Sequence, residues 1–138
     1  MGMTRSADWP SRLNAAIDAA RGRPFEWGVH DCTLWAADVV LSMTGVDPAV
    51  KYRGRYSTGG GAAKALEDEG LSAVEDAAAE ALGQPCPPTA ARRGDIVLVT
   101  QKGRRMLAVC TGRHACLPTS TGLGWVDMDS AICAWRVG

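Results

Sequence analysis

Cys32 is the side chain of this sequence with the strongest potential for nucleophilic chemistry. It follows Asp31 directly, and Gly28 lies just upstream, which indicates a sharp turn leading into a helix that Asp31 or Thr33 can cap. A cysteine at a helix N-terminus titrates at roughly 3.5–7.5 instead of about 8.5, because the helix dipole stabilises the thiolate. We therefore expect an activated thiol, the alternative being a small buried side chain without chemistry.

The segment that follows Cys32 predicts a buried helix. Between Leu34 and Met43 the only charged residue is Asp38. A helix that is apolar nearly all round lies inside a domain, so Asp38 needs an arginine or a backbone donor as a partner. The helix is expected to end near Thr44 and Gly45.

Composition limits the classes of protein to which the chain can belong. The 138 residues suffice for one domain, residues 1–138, with its own core. Acidic and basic residues balance at 15 each, so we expect no nucleic-acid partner. There is no apolar run of about 18 residues and no apolar signal core, so we expect neither a membrane span nor a secretory leader. Five cysteines at irregular spacing favour reduced thiols.

The order of elements predicts an α+β fold, with a helical part at about 8–83 and a sheet part at about 94–137. Helical spacing of apolar residues predicts a first helix from Asp8-Trp9-Pro10 and later helices at 62–69 and 71–82. The segments that read as strands are 95–100, 106–111, 115–117, 124–126 and 132–137.

The loop at 47–61 is basic and aromatic. It carries Tyr52, Arg53, Arg55 and Tyr56. Recognition of nucleic acid needs a wider basic face than two arginines provide. We expect the tyrosines to pack and the arginines to face solvent or a carboxylate.

The arrangement of these motifs resembles the NlpC-like cell-wall peptidases, papain-like cysteine endopeptidases of bacterial walls that also occur in phage tail tips. The resemblance rests on Trp27-Gly28, Asp31-Cys32, the apolar helix that follows, Gly94-Asp95-Ile96-Val97 and the strand from Leu107 to Gly112. Small phage and prophage proteins of unassigned function are more similar still. They share the character of Phe25–Gly28, His30–Cys32, Thr44–Asp47, Arg53–Tyr56 and Ala134–Val137. The resemblance implies a papain-like domain, with N-terminal helices packed on a small antiparallel sheet.

One departure from that family concerns the catalytic base. The peptidases carry a histidine at the start of the strand after the Gly-Asp strand, and this sequence has Arg105-Met106-Leu107 there. The third, orienting residue would fall near 116–120, where Thr119 or Ser120 is a poor substitute. Without a base, nothing accepts the thiol proton or protonates the leaving amine.

The two histidines of the chain are the remaining candidates to act with Cys32. His30 stands two residues before the cysteine, although a neighbour in a loop is seldom aimed at its own nucleophile. His114 follows Gly112 and Arg113 in a predicted turn, at the far end of the strand from the expected base. We keep Cys32, His30 and His114 as candidate catalytic residues.

A metal site is a further alternative. Cys110, His114 and Cys116 are close in sequence, and Cys86 or Cys133 would complete four ligands. The pattern lacks a C-x-x-C knuckle, and the alternation of Cys110 and Cys116 fits core positions. We therefore expect no cofactor and no metal.

The resemblance implies a phage or prophage tail-tip or tail-assembly protein with degenerate catalysis. It would assemble in the bacterial cytoplasm, reside in the virion and contact other tail-tip proteins. The first alternative is an active peptidoglycan endopeptidase. There Cys32 attacks an amide of the stem peptide, and amides at the helix start stabilise the oxyanion. The second alternative is a structural tail protein that binds a metal or an iron–sulfur cluster.

Overall fold

Four α-helices come first in residues 3–138, the part of the chain that this computed structural model describes. They are α1 (Trp9–Ala20), α2 (Cys32–Thr44), α3 (Gly59–Asp68) and α4 (Val74–Leu82). Helix α3 begins earlier than predicted because the Thr58 hydroxyl accepts the Gly61 N–H at 3.0 Å and caps the helix there. Helix α4 begins later than predicted because Asp76 accepts the N–H groups of Ser72 and Ala73, which holds those residues in a turn.

Helix α2 is the central helix of the domain. Asp31 caps its N-terminus by accepting the Leu34 N–H at 2.9 Å, and Gly45 ends it in the left-handed conformation, with φ 78°. Seven of its 13 residues are buried. The prediction that Cys32 begins a buried helix is confirmed.

Five antiparallel strands form one sheet in the second part of the described chain. They are β1 (Ile96–Gln101), β2 (Arg104–Cys110), β3 (His114–Thr119), β4 (Gly122–Asp127) and β5 (Ala131–Trp135). Their order across the sheet is β4-β3-β2-β1-β5. Helices followed by an antiparallel sheet confirm the α+β class.

The two faces of the sheet belong to different apolar clusters, as the alternation of side chains along a strand requires. Leu107 and Val109 of β2 pack against α1 and α2 in the cluster that contains Leu13 and Trp35. The intervening residues of β2 belong to a second cluster on the opposite face. Both faces of the sheet are therefore buried over its centre.

Strands β2 and β3 are paired along only part of their length. Val109 pairs with Cys116 and Cys110 pairs with Ala115, and no further pair follows. Strand β3 nevertheless stays paired with β4 along its whole length. The sheet therefore splits between the first half of β2 and the second half of β3.

Pro118 accounts for the position of this split. The Thr111 N–H donates to the His114 carbonyl at 2.8 Å. Hydrogen-bonded pairs in an antiparallel ladder recur every second residue, so Leu107 and Pro118 would form such a pair further along. Proline has no N–H to donate, and the ladder stops before this position.

The described helices are all short. The longest, α2, has 13 residues. No helix within residues 3–138 combines the length and the apolar character that crossing a bilayer requires.

Candidate functional site

A groove of about 1110 Å³ opens at the split in the sheet. One wall is formed by the first half of β2, and another by the second half of β3 with part of β4. Helix α3 and the start of α4 complete it, and Asp31, Cys32 and Thr33 lie at the N-terminus of α2 on its surface. Cys32 is thus the nucleophile candidate that the structure places on a surface large enough to hold a ligand.

The three positions that the resemblance to the cell-wall peptidases singled out lie on this one groove. Cys32, Met106 and the pair Thr119 and Ser120 all line it. Cys32 and Met106 also pack against the same apolar cluster of the sheet. A thioether therefore occupies the position where the base was expected, and it cannot accept a thiol proton near neutral pH.

Asp31 is a buried carboxylate held by three neutral donors. It is 1% exposed. It accepts the Leu34 N–H at 2.9 Å, the Gly28 N–H at 3.0 Å and the Tyr56 hydroxyl at 2.6 Å. No cation among residues 3–138 forms an ion pair with it. Its negative charge lies next to Cys32 without a countercharge in contact.

The environment of Cys32 disfavours the thiolate. Burial, followed by the charge of Asp31, raises the pKa of Cys32 to about 12, and the Arg104 guanidinium opposes this rise. The expectation of a lowered pKa is therefore wrong. The helix N-terminus is present, but Asp31 already occupies it and adds a negative charge beside the sulfur.

His30 is packed into the core beside α2. It is 1% exposed, and its ring meets Trp35 edge-on with the centroids 5.9 Å apart. Neither imidazole nitrogen has a hydrogen-bond partner among the described residues. Burial and the charge of Arg23 lower its pKa. His30 does not line the groove that contains Cys32.

His114 is the first residue of β3, not part of the preceding turn, and is exposed opposite Asp127 of β4. The groove contains the other end of the strand, at Thr119. Five residues of strand separate the two ends, a distance of about 17 Å. The structure thus brings neither histidine to the groove that holds Cys32, and their catalytic roles stay predictions.

Two residues to which the sequence analysis gave no role at the site shape it. Tyr56 braces Asp31, and its loop approaches Gly28 so closely that a Cβ there would lie 1.9 Å from the Tyr56 carbonyl oxygen. Gly28 also has φ 79°, so a larger residue would be strained. Arg104 is the second, an exposed cation on the groove. The motif Arg53–Tyr56 was visible in the sequence, but its contact with the Asp-Cys turn was not.

The basic loop behaves as predicted. Arg53 forms ion pairs with Asp38 at 2.8 Å and with Asp47 at 2.7 Å, and Tyr52 is buried. Asp38 therefore has the arginine partner that its place on an apolar helix required. Loop 47–61 is fixed against α2 and supports the site through Tyr56.

The cysteines proposed as metal ligands are separated by the sheet. Cys110 belongs to one apolar cluster and Cys116 to the cluster on the opposite face. Residues 3–138 contain no group of three or more histidine, cysteine or acidic side chains arranged to hold a metal ion. The geometry gives the metal-binding alternative no support.

Comparison with known proteins gives a family but no activity. No curated protein matches this chain. A family model described as a domain of unknown function, DUF6950, matches residues 4–137, which is nearly the whole sequence. The chain therefore belongs to the DUF6950 family.

Proposed function

We propose that this chain is a papain-like, NlpC-like domain that serves as a phage or prophage tail-tip component and no longer cleaves peptides. The observation that carries the proposal is the shared groove. Cys32, Met106 and the pair Thr119 and Ser120, the positions where the resemblance places a nucleophile, a base and an orienting residue, all line it. The base position holds a thioether.

Proton transfer is the step that this arrangement lacks. A cysteine peptidase needs a group that accepts the thiol proton and later protonates the leaving amine. Burial and the charge of Asp31 raise the pKa of Cys32 to about 12, so the unreactive thiol form predominates at pH 7. Neither Met106 nor the hydroxyls near the end of β3 can supply the missing base.

One amide at the start of α2 is already engaged. An active enzyme would direct the first amides of α2 at the developing negative charge. The Leu34 N–H already donates to Asp31 at 2.9 Å. The alternative of an active endopeptidase thus has a groove and a cysteine at a helix start, but no base.

Binding is the role that the groove retains without catalysis. In this proposal the domain contacts neighbouring tail-tip proteins, assembles in the bacterial cytoplasm and stays in the virion. Mass spectrometry of purified particles, induced from a lysogen that encodes the chain, should detect it, and immunogold labelling should place it at the tail tip. Its absence from purified particles would exclude the virion location.

The loss of catalysis is tested by the release of stem-peptide fragments from purified peptidoglycan. Wild type should stay at the assay floor, because acid–base help is worth about 10²–10⁴-fold, and Cys32→Ala should not differ from it. His30→Ala and His114→Ala are the matched histidine variants. Robust cleavage by wild type that disappears in Cys32→Ala would overturn the proposal, and parallel loss in one histidine variant would identify the base.

A further inference from the structure

Strand β2 has a free edge inside the groove. Cys110 exchanges backbone hydrogen bonds with Gly94 and Asp95 at 2.8 and 2.9 Å, on the β1 side. Backbone groups alternate along a strand, so those of Arg105 and Leu107 face β3 instead. Strand β3 has left the ladder by that point, so neither residue has a strand partner on this side.

The sequence disfavours closure of the gap beside this edge. If β3 paired with β2 here, the Leu107 carbonyl would have no donor, because Pro118 has no N–H. The Thr119 carbonyl already accepts the Phe25 N–H at 2.8 Å, which ties the end of β3 to the loop before α2. Strand β3 is also paired with β4 as far as Thr119. The edge of β2 therefore stays available.

The surfaces around the edge are apolar and aromatic. Phe25, Trp27 and Trp125 line the groove, and Trp125 is 44% exposed although it is a large apolar side chain. Aromatic surfaces of this kind complement large apolar side chains of a ligand. Peptidoglycan stem peptides, which consist of small and charged residues, would leave these surfaces uncovered.

One cation of the groove is left without a carboxylate partner among the described residues. Arg105 is paired with Glu75 at 2.5 Å, and Asp31 is saturated by its three donors. Arg104 is exposed, lines the groove and has no carboxylate partner among residues 3–138. A carboxylate on the ligand would complement this cation.

We infer that the groove binds an extended segment of a partner protein, which adds as a short strand to the edge of β2 at Arg105 and Leu107. The segment carries large apolar side chains for the aromatic walls and a carboxylate for Arg104. Main-chain hydrogen bonds supply affinity and the side-chain surfaces supply selectivity, as in other strand-addition complexes. The inference rests on the proposed function, because it treats the segment as a bound partner and not as a substrate.

A displayed library of random dodecapeptides, selected on the full chain, tests the inference. Enriched sequences should alternate apolar and acidic residues, and one of them is then synthesised for titration. Arg104→Glu should weaken its binding at least about tenfold, through loss of a charge-assisted contact. Arg113→Glu is the matched control, because Arg113 is an exposed arginine between β2 and β3, away from the groove, and it should bind as wild type does.

The same peptide, N-methylated at alternate residues, tests strand addition. Methylation of the amides that pair with β2 should abolish binding, and methylation of the others should not. Amide exchange at Leu107 should slow when the unmodified peptide binds. Enriched peptides that are insensitive to both methylation and Arg104→Glu would overturn the inference. Soluble peptidoglycan fragments are the comparison ligand, and Arg104-dependent binding of these fragments alone would overturn it as well.

The outcomes separate this inference from the proposed function. If no peptide binds the groove and peptidoglycan remains uncut, only the strand-addition inference fails. If the selected peptide binds through Arg104 but is cut in a reaction that needs Cys32, the proposed loss of catalysis is wrong, whereas the inferred ligand class is supported.

Discussion

Asp31 and Asp95 are two buried aspartates in opposite electrostatic settings. Asp95 is 0% exposed and pairs with Arg5 at 2.8 Å, while it also accepts the N–H groups of Arg92 and Val137. Asp31 is 1% exposed and has neutral donors only. One carboxylate is neutralised by a cation, and the other keeps its charge beside a thiol.

This difference shows what each motif does. The Gly-Asp turn before β1 joins the two ends of the chain, because Arg5 also donates to the Val137 carbonyl at 2.6 Å. The Asp-Cys turn before α2 fixes the helix start, and the unneutralised charge of Asp31 raises the pKa of Cys32. A catalytic cysteine requires the reverse, a cation or a base beside the sulfur. Both turns stabilise the fold, and neither activates the thiol.

The largest expected effect on stability comes from substitution of Asp95, the aspartate that pairs with Arg5. Asp95→Ala leaves the Arg5 charge in a site where its side chain is 9% exposed, and removes the acceptor of two backbone donors. Breaking a buried pair in this way costs about 3–5 kcal/mol of unfolding free energy. Urea denaturation measures the loss. Asp8→Ala, which breaks the exposed pair with Arg12, is the control and should be close to wild type.

An intermediate effect on stability is expected from loss of the hydrogen bond between Tyr56 and Asp31. Tyr56→Phe removes a hydroxyl that donates to the carboxylate at 2.6 Å and leaves the ring in place. A hydrogen bond to a charged group contributes about 1.5–3 kcal/mol, so the urea midpoint should fall with little change in slope. Tyr52→Phe is the matched control, because the Tyr52 hydroxyl has no partner among the described residues. Equal losses of unfolding free energy in the two variants would show that the Tyr56 hydroxyl does not stabilise Asp31.

A comparable change in stability, with a clear chemical readout, is expected from Asp31→Asn. Asparagine also caps helices, but its amide group would replace the oxygen that accepts from Gly28 and Tyr56, and the charge that strengthens these hydrogen bonds would be lost. Removal of the negative charge should lower the pKa of Cys32, because that charge is the second cause of its rise after burial. Alkylation of Cys32 at fixed pH, read by mass spectrometry, should then be faster relative to Cys86 in the same sample. An unchanged ratio would show that burial alone controls the thiol.

The elements that sequence reasoning located are those with local causes. The apolar run after Cys32 and the glycine at 45 define α2, and the alternating strands define the sheet. The predicted start of helix α4 was too early, because Asp76 accepts the N–H groups of Ser72 and Ala73 and holds these residues in a turn. Helix propensity alone does not predict this turn. Met106, in the segment where the resemblance places the base, lines the groove, and a short hairpin fixes its distance from the Gly-Asp strand.

The electrostatics of the site could not be predicted, because their causes are distant in sequence. The pKa of Cys32 depends on burial by the sheet and on a carboxylate held by Tyr56, 25 residues away. The free edge of β2 depends on Pro118 in the next strand and on where β3 is tied. Arg104 matters only because the sheet splits beside it.

His30, the neighbour of Asp31 in sequence, gives the smallest predicted effect. The carboxylates of Asp31 and Asp95 accept hydrogen bonds from several donors, whereas neither ring nitrogen of His30 has a partner among the described residues. Burial lowers the pKa of His30 below the ordinary value of 6.5. As the pH falls through 6.5, residue 30 of the unfolded chain therefore binds a proton, whereas His30 of the folded chain stays neutral to a lower pH. The unfolding free energy should be highest above pH 6.5 and should decline as the pH falls towards the folded pKa. His30→Phe, which keeps an aromatic ring against Trp35, should flatten that decline between pH 7.5 and 5.5, whereas His114→Ala, an exposed control, should retain the wild-type slope. Equal slopes in wild type and His30→Phe would place the acid sensitivity elsewhere and leave His30 as a packed aromatic side chain.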